Sequence, residues 1–254
     1  MENLSFLEIR QIVCDICQKM WQLGWVAAND GNITVKLEDG TFLATPTSIS
    51  KSFITPEKLL RIDKEGKVLE GLEGFKPSSE IKMHLRCYEE RSDVKAVLHA
   101  HPPTATGYAV AGIHLDDYSM IETVVAIGSV PITPYSTPST DEVPEAIAPY
   151  LVDHDVLLLE NHGALTVGSD LLTAYYRMET LELFAKISLN AHLLGGAKEI
   201  SPPNIQRLIN LRSYYKVTGR HPGIKKYNVP SNTRNLAPNF EVKLSQESLK
   251  DSTG

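Results

Sequence analysis

Two apolar runs on either side of a short polar turn constrain the fold of this chain more than any other feature. The segment is HDVLLLENHGALTVGSD, residues 154–170, and its turn is formed by Asn161, His162 and Gly163. Short apolar runs bounded by turn residues predict two strands rather than a helix. Strands joined by so tight a turn run antiparallel. The turn then places the polar His162 at an edge of the sheet, where it is exposed.

The rest of the chain mixes short strands with amphipathic helices. A hairpin is predicted from ITVKL and FLAT, which flank an EDG turn, and further strands from GKVLEG, VKAVLHAH, VVAIG and VPITPY. Helix starts are predicted at Ser5, Ser78 or Ser79, Pro103, Thr140 or Asp141, and Ser169 or Asp170. Since no strict βαβ rhythm is present, the pattern favours one α/β domain with a central, mainly antiparallel sheet covered by helices.

The chain divides into a main domain and a tail. Residues 1–218 carry the predicted elements and form the domain. Residues 219–254 are rich in Pro, Asn and Ser, which predicts an extended or partly disordered C-terminal arm.

Charge and composition exclude several classes of protein. The net charge is −6 and the pI is about 5.8, which argues against a nucleic-acid partner but leaves a local phosphate site possible. No apolar run has the roughly 20 residues of a membrane span, and no signal peptide is recognisable. Three cysteines predict free thiols and a cytoplasmic protein. The Cys14 and Cys17 pair is expected to be buried on one helix face.

The segment AVLHAHPPTA, residues 96–105, contains two histidines one residue apart. On a strand, His99 and His101 point to the same face and can reach one ion. Three protein ligands with an open position are typical of a catalytic metal, and His162 is the best candidate for the third ligand. The alternative, which an isolated H-x-H motif favours, is that these histidines only form local hydrogen bonds.

Three polar segments suit a bound anion: GNIT, TPTSIS and KPSSE. Taken singly, a Ser-Ser-Glu sequence is more often a helix cap than a phosphate site. Lys51 and Lys76 lie nearby; either could add positive charge to an anion site, but both are expected to be solvated. His84 follows Glu80 by four residues on the same helix face, so it either orients that carboxylate or is an ordinary helix histidine.

Taken in order, GNIT, TPTSIS, PSSE, HAHP and NHG resemble the class II aldolase/adducin family over residues 6–215. The resemblance implies an α/β/α fold around a mainly antiparallel sheet. It also implies one divalent metal ion per subunit, most often Zn2+ and sometimes Mn2+ or Co2+, held by His99, His101 and His162. Glu80 would be the catalytic acid/base and a fourth metal ligand when substrate is absent. The positions that match the family's phosphate ligands are Asn32, Thr47, Ser48, Ser78 and Ser79.

The activity implied by this resemblance is that of a metal-dependent aldolase, a carbon–carbon lyase. It would reversibly cleave a ketose 1-phosphate, such as L-fuculose 1-phosphate, to dihydroxyacetone phosphate and an aldehyde. The family also implies a homotetramer acting on a phosphorylated sugar. Alternatives on the same metal site are a phosphoketose 4-epimerase and a sugar-acid phosphate decarboxylase. A non-enzymatic, adducin-like interaction module would not need the metal histidines.

Two positions depart from the family's aldolase pattern. Glycine is usual where this chain has Ser48. Met120 stands where the aldolases have a tyrosine that a neighbouring subunit contributes to protonate the aldehyde half. Tyr118 and Glu122 are the nearest catalytic candidates to replace that tyrosine. The alternatives are that Tyr118 is a packed aromatic and Glu122 a solvated charge.

Overall fold

A computed structural model, which describes residues 4–229, has an eight-stranded sheet at its centre. The sheet order is β4-β3-β2-β1-β5-β8-β7-β6, and all neighbouring pairs are antiparallel except the parallel β6–β7 pair. The strands are β1 Asn32–Lys36, β2 Phe42–Ala44, β3 Leu60–Ile62, β4 Val68–Glu70, β5 Ala96–Ala100, β6 Ile132–Thr133, β7 Val156–Leu159 and β8 Gly163–Gly168. The predicted α/β class and the mainly antiparallel sheet are confirmed.

Helices cover both faces of this sheet. They are α1 Phe6–Gln22, α2 Ile81–Glu90, α3 Pro103–Ala111, α4 Ile121–Ala126, α5 Glu142–Ile147, α6 Leu171–Leu193, α7 Pro202–Tyr214 and α8 Gly223–Lys226. Strand alternation divides the core in two: Leu98 packs with α1, α3 and α6, whereas Val97 packs with α2 and α5. His99 therefore projects to the α2 side of the sheet.

Most local predictions agree with these elements. The first helix begins after Ser5, whose hydroxyl and Glu8 form a reciprocal capping box. Both predicted hairpins are present, β1–β2 and β7–β8. In the second hairpin, Asn161 adopts a left-handed φ of 56°, which asparagine tolerates better than most residues. The cap predicted at Ser78 or Ser79 is wrong, because α2 begins later, with Glu80 at its N-cap.

The predicted strand VVAIG is wrong, because its first residues belong to α4. Tertiary contacts overrule the β-branched pattern there. Arg212 donates hydrogen bonds to the carbonyls of Val125 (2.6 Å) and Ala126 (3.1 Å) at the end of this helix. The ring of His221 bonds the Val124 carbonyl at 2.6 Å. These partners satisfy carbonyls at the helix C-terminus that a strand would present to a neighbour.

The C-terminal part of the chain adds two helices, α7 and α8, that sequence patterns did not reveal. Of the arm predicted for residues 219–254, the structure describes 219–229, which contain α8 and the buried His221. The remainder of that predicted arm lies outside the described residues. Arg212 also donates to the carbonyls of Thr218 and Gly219, so this segment is tied to α4 through one guanidinium.

The three cysteines are free and buried, and Cys14 and Cys17 lie on the inner face of α1 as expected. Burial raises the pKa of the Cys14 thiol to about 11 and that of Cys17 to about 12, which makes both thiols unreactive. Within residues 4–229, none of the helices combines the length and the apolar character needed to cross a membrane.

Candidate metal centre and active site

Strand order brings the three predicted metal histidines together. β5 is paired with β8, so the last residues of β5 lie against the turn that opens β8. His99 is fully buried within β5, His101 directly follows that strand, and His162 lies on the turn. One ring nitrogen from each histidine falls within 4.8 Å of the others. The ring centroids are 4.6–5.2 Å apart.

Hydrogen bonding fixes which nitrogen of His99 is available. Its Nδ1 lies 2.9 Å from the carbonyl oxygen of Ala164, which requires a proton on Nδ1. Its Nε2 is then a bare lone pair and lies 3.1 Å from Nε2 of His101. On the other side, the Asp30 carboxylate is 3.5 Å from Nδ1 of His101 and favours the same tautomer there. Two lone pairs that face each other suit a shared cation.

Burial keeps the imidazoles of His99 and His162 in the neutral form that binds metals. It holds the pKa of His99 well below its ordinary value, and the neighbouring His162 and His101 rings lower that pKa further. Burial also lowers the pKa of His162, against the opposing effect of the Glu80 carboxylate. Neutral imidazoles do not have to release a proton before they coordinate.

The donor set fits a divalent ion. With bonds of about 2.0–2.1 Å, ligand nitrogens in a tetrahedral zinc site are roughly 3.4 Å apart, close to the separation of His99 and His101. Glu80 adds oxygens at 3.2 Å from Nε2 of His162 and 3.5 Å from Nε2 of His99. Its Oε1 is buried and has no hydrogen-bond partner among residues 4–229. A carboxylate oxygen left without a donor beside three imidazoles is what a cation would satisfy.

Glu80 connects this histidine cluster to the predicted anion segments. The amide of Asn32 donates to Oε2 of Glu80 at 3.0 Å and to the hydroxyl of Ser78 at 3.1 Å. Asn32 is itself held opposite His99 by the β1–β5 register. The structure therefore brings the metal candidates, the acid/base candidate and two of the phosphate candidates into one contiguous site.

A buried polar contact between β1 and α2 lies behind Glu80. Thr34, two residues after Asn32 on the same face of β1, bonds Nδ1 of His84 at 2.9 Å and the hydroxyl of Tyr88 at 2.8 Å. Burial lowers the pKa of His84 to about 3, so its ring is neutral. His84 forms no direct hydrogen bond with Glu80, so the alternative in which it orients that carboxylate has no contact to support it. The ring instead fixes α2 to the strand that carries Asn32.

The remaining phosphate candidates lie on the loops around Asn32. The backbone N–H of Thr47 donates to the Lys76 carbonyl at 2.8 Å, which joins TPTSIS to KPSSE. Ser48 has a left-handed φ of 61°, which explains why glycine is usual at this position. Ser79 is exposed. Within residues 4–229, the hydroxyls of Thr47, Ser48 and Ser79 form no hydrogen bond, so all three can donate to a ligand.

Within residues 4–229, neither candidate for the aldehyde side forms a hydrogen bond or ion pair with the three histidines. Tyr118 is only 1% exposed, its hydroxyl donates to Ser129 at 3.4 Å, and its ring packs edge-on against Tyr227. This position favours the packed-aromatic alternative, because a buried hydroxyl cannot reach a substrate in its own site or a neighbour's. Glu122 is exposed in the first turn of α4 and is available to another molecule.

Two residues near the site were missed or misread from the sequence. Lys51, expected to be solvated, is 1% exposed, and its Nζ donates to backbone carbonyls of Asn29 and Ile49. Asp30 faces His101. The clue to Asp30 is the strand register: an extension of the Asn32–His99 pairing places residue 30 opposite residue 101. That register could not be read without knowing that β1 and β5 are neighbours.

A separate cavity lies away from the histidine cluster. It has a volume of about 560 Å³ between α3 and α6, and its mainly apolar lining includes the polar side chains of His114, Asp117 and His192. None of the predicted catalytic, metal or phosphate residues lines it. Because cavity size alone assigns no chemistry, the site is defined by the histidine cluster and its carboxylate.

Known proteins resemble this chain in sequence and in fold. Residues 11–189 match the family described as Class II Aldolase and Adducin N-terminal domain. A 3-oxo-tetronate 4-phosphate decarboxylase of Escherichia coli (strain K12) is 32% identical over 184 residues, 70% of this chain and 85% of that protein. An L-fuculose phosphate aldolase of Methanococcus vannielii is 32% identical over 173 residues, 68% of this chain and 91% of that protein.

A solved structure of L-fuculose 1-phosphate aldolase superposes with a TM-score of 0.75 and 28% identity, covering 82% of this chain and 96% of that one. Members of this family act on phosphorylated sugars with a divalent metal. The match covers most of the domain and includes the histidine cluster. The chain therefore belongs to the class II aldolase and adducin family and is a metal-dependent enzyme of the aldolase type.

Proposed function

We propose that this enzyme is a carbon–carbon lyase that releases dihydroxyacetone phosphate from a phosphorylated sugar. The observation that carries the proposal is the position of Glu80, whose carboxylate lies between the histidine cluster and Asn32 of the phosphate segment. One group can then move a proton on a substrate whose carbonyl end faces the histidines and whose phosphate end faces the serines.

His99, His101 and His162 are proposed to hold one divalent ion per subunit, with zinc favoured by the three imidazoles. When bound, the ion supplies a Lewis acid that polarises the substrate's carbonyl group. Asn32, Thr47, Ser48, Ser78 and Ser79 are proposed to hold the phosphate and so fix the reacting carbons beside Glu80.

The first candidate reaction is reversible aldol cleavage of a ketose 1-phosphate such as L-fuculose 1-phosphate. The C3–C4 bond breaks and its electron pair is delocalised towards the C2 carbonyl. C3 then takes a proton from Glu80, while the C4 hydroxyl loses its proton as it becomes an aldehyde. An acid/base on the aldehyde side is needed, and Glu122 of a neighbouring subunit is the candidate that remains.

The second candidate is decarboxylation of a 3-oxo sugar-acid phosphate, and the burial of Tyr118 favours it. Loss of CO2 leaves no aldehyde oxygen to protonate. Decarboxylation therefore does not need the tyrosine that Met120 replaces. A 3-oxo-tetronate 4-phosphate decarboxylase is among the similar proteins. Both reactions leave dihydroxyacetone phosphate, so the second product decides between them.

The test is incubation of zinc-loaded protein with L-fuculose 1-phosphate and, separately, with 3-oxo-tetronate 4-phosphate, with products identified by mass spectrometry. An aldehyde identifies the aldolase, CO2 the decarboxylase and a C4 epimer the epimerase. Glu122→Gln should slow aldehyde formation and leave CO2 release unchanged. If neither substrate yields dihydroxyacetone phosphate, the proposed reaction class is wrong.

The role of Glu80 has its own test. Glu80→Gln should retain the metal and lose most activity, at least about a hundredfold, because the amide cannot transfer the proton. Glu89→Gln, an exposed glutamate on the same helix, is the matched control and should remain active. His99→Ala should lose metal in elemental analysis. Full activity in Glu80→Gln would remove Glu80 from the mechanism.

A homotetramer in the cytoplasm is proposed as the working form. Exposed apolar side chains on α6 support self-association, namely Tyr176, Leu183, Ile187, Leu189 and Leu193. The free thiols support a reducing compartment. Sedimentation equilibrium tests the assembly, and a monomer at micromolar concentration would contradict it.

A further inference from the structure

Lys51 is a buried cation without an acidic partner. Its side chain is 1% exposed, and its Nζ donates to the carbonyl oxygens of Asn29 and Ile49, both at 3.3 Å. Among residues 4–229, Lys51 forms no salt bridge with any carboxylate. Lysines are almost never this buried unless they are paired with an acidic group. Another interaction must therefore offset the free-energy cost of desolvating the Lys51 charge.

The two carbonyls that Lys51 binds belong to the loops of the proposed phosphate site. Asn29 lies three residues before Asn32, and Ile49 directly follows Thr47 and Ser48. These loops are tied to the third segment by two other contacts, from Asn32 to Ser78 and from Thr47 to the Lys76 carbonyl. Of these contacts between the loops, those made by Lys51 also bring a positive charge.

Burial lowers the pKa of Lys51, and the nearby Cys17 thiol and the Asp30 and Glu80 carboxylates offset that shift only in part. Neither carboxylate is close enough to neutralise the ammonium by direct contact. A bound phosphate dianion would supply the negative charge that Lys51 lacks among the surrounding protein groups.

We propose that Lys51 is a positioning residue that makes this site selective for a phosphate dianion, by clamping the Asn29 and Ile49 loops together and by placing a buried positive charge beneath them. The inference rests on the proposed function insofar as the substrate is phosphorylated. It differs from that proposal because Lys51 acts through the loops rather than by holding the substrate itself.

The test measures binding of inorganic phosphate to zinc-loaded protein by titration calorimetry, without turnover. Lys51→Met should weaken phosphate binding at least about tenfold, since a unit charge a few ångströms away in a medium of effective dielectric near 20 contributes at least that factor. Metal content should stay the same. With a substrate that is turned over, KM should rise more than kcat falls.

Lys51→Gln separates the clamp from the charge, because its amide can still donate to a carbonyl. It should lose most of the phosphate affinity that Lys51→Met loses and keep the part that depends on the clamp. Lys64→Met, which removes a lysine that is 81% exposed, is the matched control and should bind phosphate normally. Raising the salt concentration should not abolish the difference between Lys51→Met and wild type, because buried charges are weakly screened.

Three results would overturn the proposal. In the first, Lys51→Met binds phosphate as tightly as the wild type at equal metal content. In the second, Lys51→Gln binds normally, which removes the role of the charge. In the third, both variants melt earlier but their folded fractions bind phosphate normally, which makes Lys51 a folding residue only. A fourth result separates the two proposals. If phosphate binding depends on Lys51 but the protein cleaves no sugar phosphate, the proposed reaction is refuted and this inference stands.

Discussion

A single methyl group added at Gly163 should disrupt the histidine cluster. Gly163 opens β8 directly after His162, and a Cβ built there overlaps Cδ2 of His101. The same Cβ would lie 2.7 Å from the Ala100 carbonyl oxygen and 3.2 Å from Cε1 of His99. Because His99 and Ala100 belong to a fully buried central strand, the added methyl can be accommodated only if the His101 ring or the turn moves.

The expected cost of Gly163→Ala follows from this overlap. Overpacking of a dense core costs about 1–3 kcal/mol. For a chain of this size, each kcal/mol lowers the melting temperature by roughly 2–4 °C, so a fall of about 2–12 °C is expected. Displacing the His101 ring should also weaken metal binding at least about tenfold, as loss of supporting contacts around a metal ligand commonly does.

Calorimetric melting with and without zinc, together with competition against a chelator, measures both effects. Gly107→Ala is the matched control, because a Cβ at this position in α3 meets nothing within 4 Å. Alanine is favoured over glycine in a helix by about 0.5–1 kcal/mol, so the control should melt at the same temperature or higher. Equal melting temperatures and equal zinc affinities in the two variants would refute the reasoning.

Four further predictions follow from other contacts. Asp155→Asn should cost about 3–5 kcal/mol in urea unfolding, because it leaves buried Arg177 (2.7 Å) without its carboxylate and Arg91 (2.8 Å) with Asp93 alone; a loss below 1 kcal/mol would contradict this. Burial lowers the pKa of His221 from 6.5 to about 4, so the unfolded chain binds a proton that the folded chain excludes. Stability should therefore fall by about 3 kcal/mol as pH drops from 6.5 to 4, and His221→Gln should flatten that part of the pH–stability curve if the assignment is right. Tyr118→Phe should retain activity and lose about 1 kcal/mol or less, since its hydroxyl bond to Ser129 is long; inactivation would restore Tyr118 as a catalytic candidate. Chelation should lower the melting temperature and zinc should restore it, by about 2.7 kcal/mol at a hundred times Kd; an unchanged melt would count against the metal site.

Several features of the site were accessible from local sequence patterns. The alternation within β5 placed His99 and His101 on one face, and the NHG turn placed His162 at the end of a strand. Capping chemistry marked the start of α1. Each of these depends on residues within a few positions of one another, so the pattern carries the physics directly.

Other features depended on distant partners. VVAIG has the composition of a strand, yet contacts from Arg212 and His221 hold part of it in a helix. Tyr118 read equally well as a catalytic acid or a packed aromatic until its burial against Tyr227 was known. Lys51 looked like a surface lysine, because sequence cannot show which long side chain folds inward.

Local sequence patterns identified most of the helices and strands, the turn chemistry and the kinds of ligand available for a metal and a phosphate. Tertiary structure decided which of these meet. The β1–β5–β8 order places Asn32 opposite His99 and His99 opposite Leu165. Through that order Glu80 reaches both the histidines and Asn32, and Asp30 reaches His101. Strand pairing between distant segments is selected by the burial of the whole sheet, so no local stretch of residues encodes it alone.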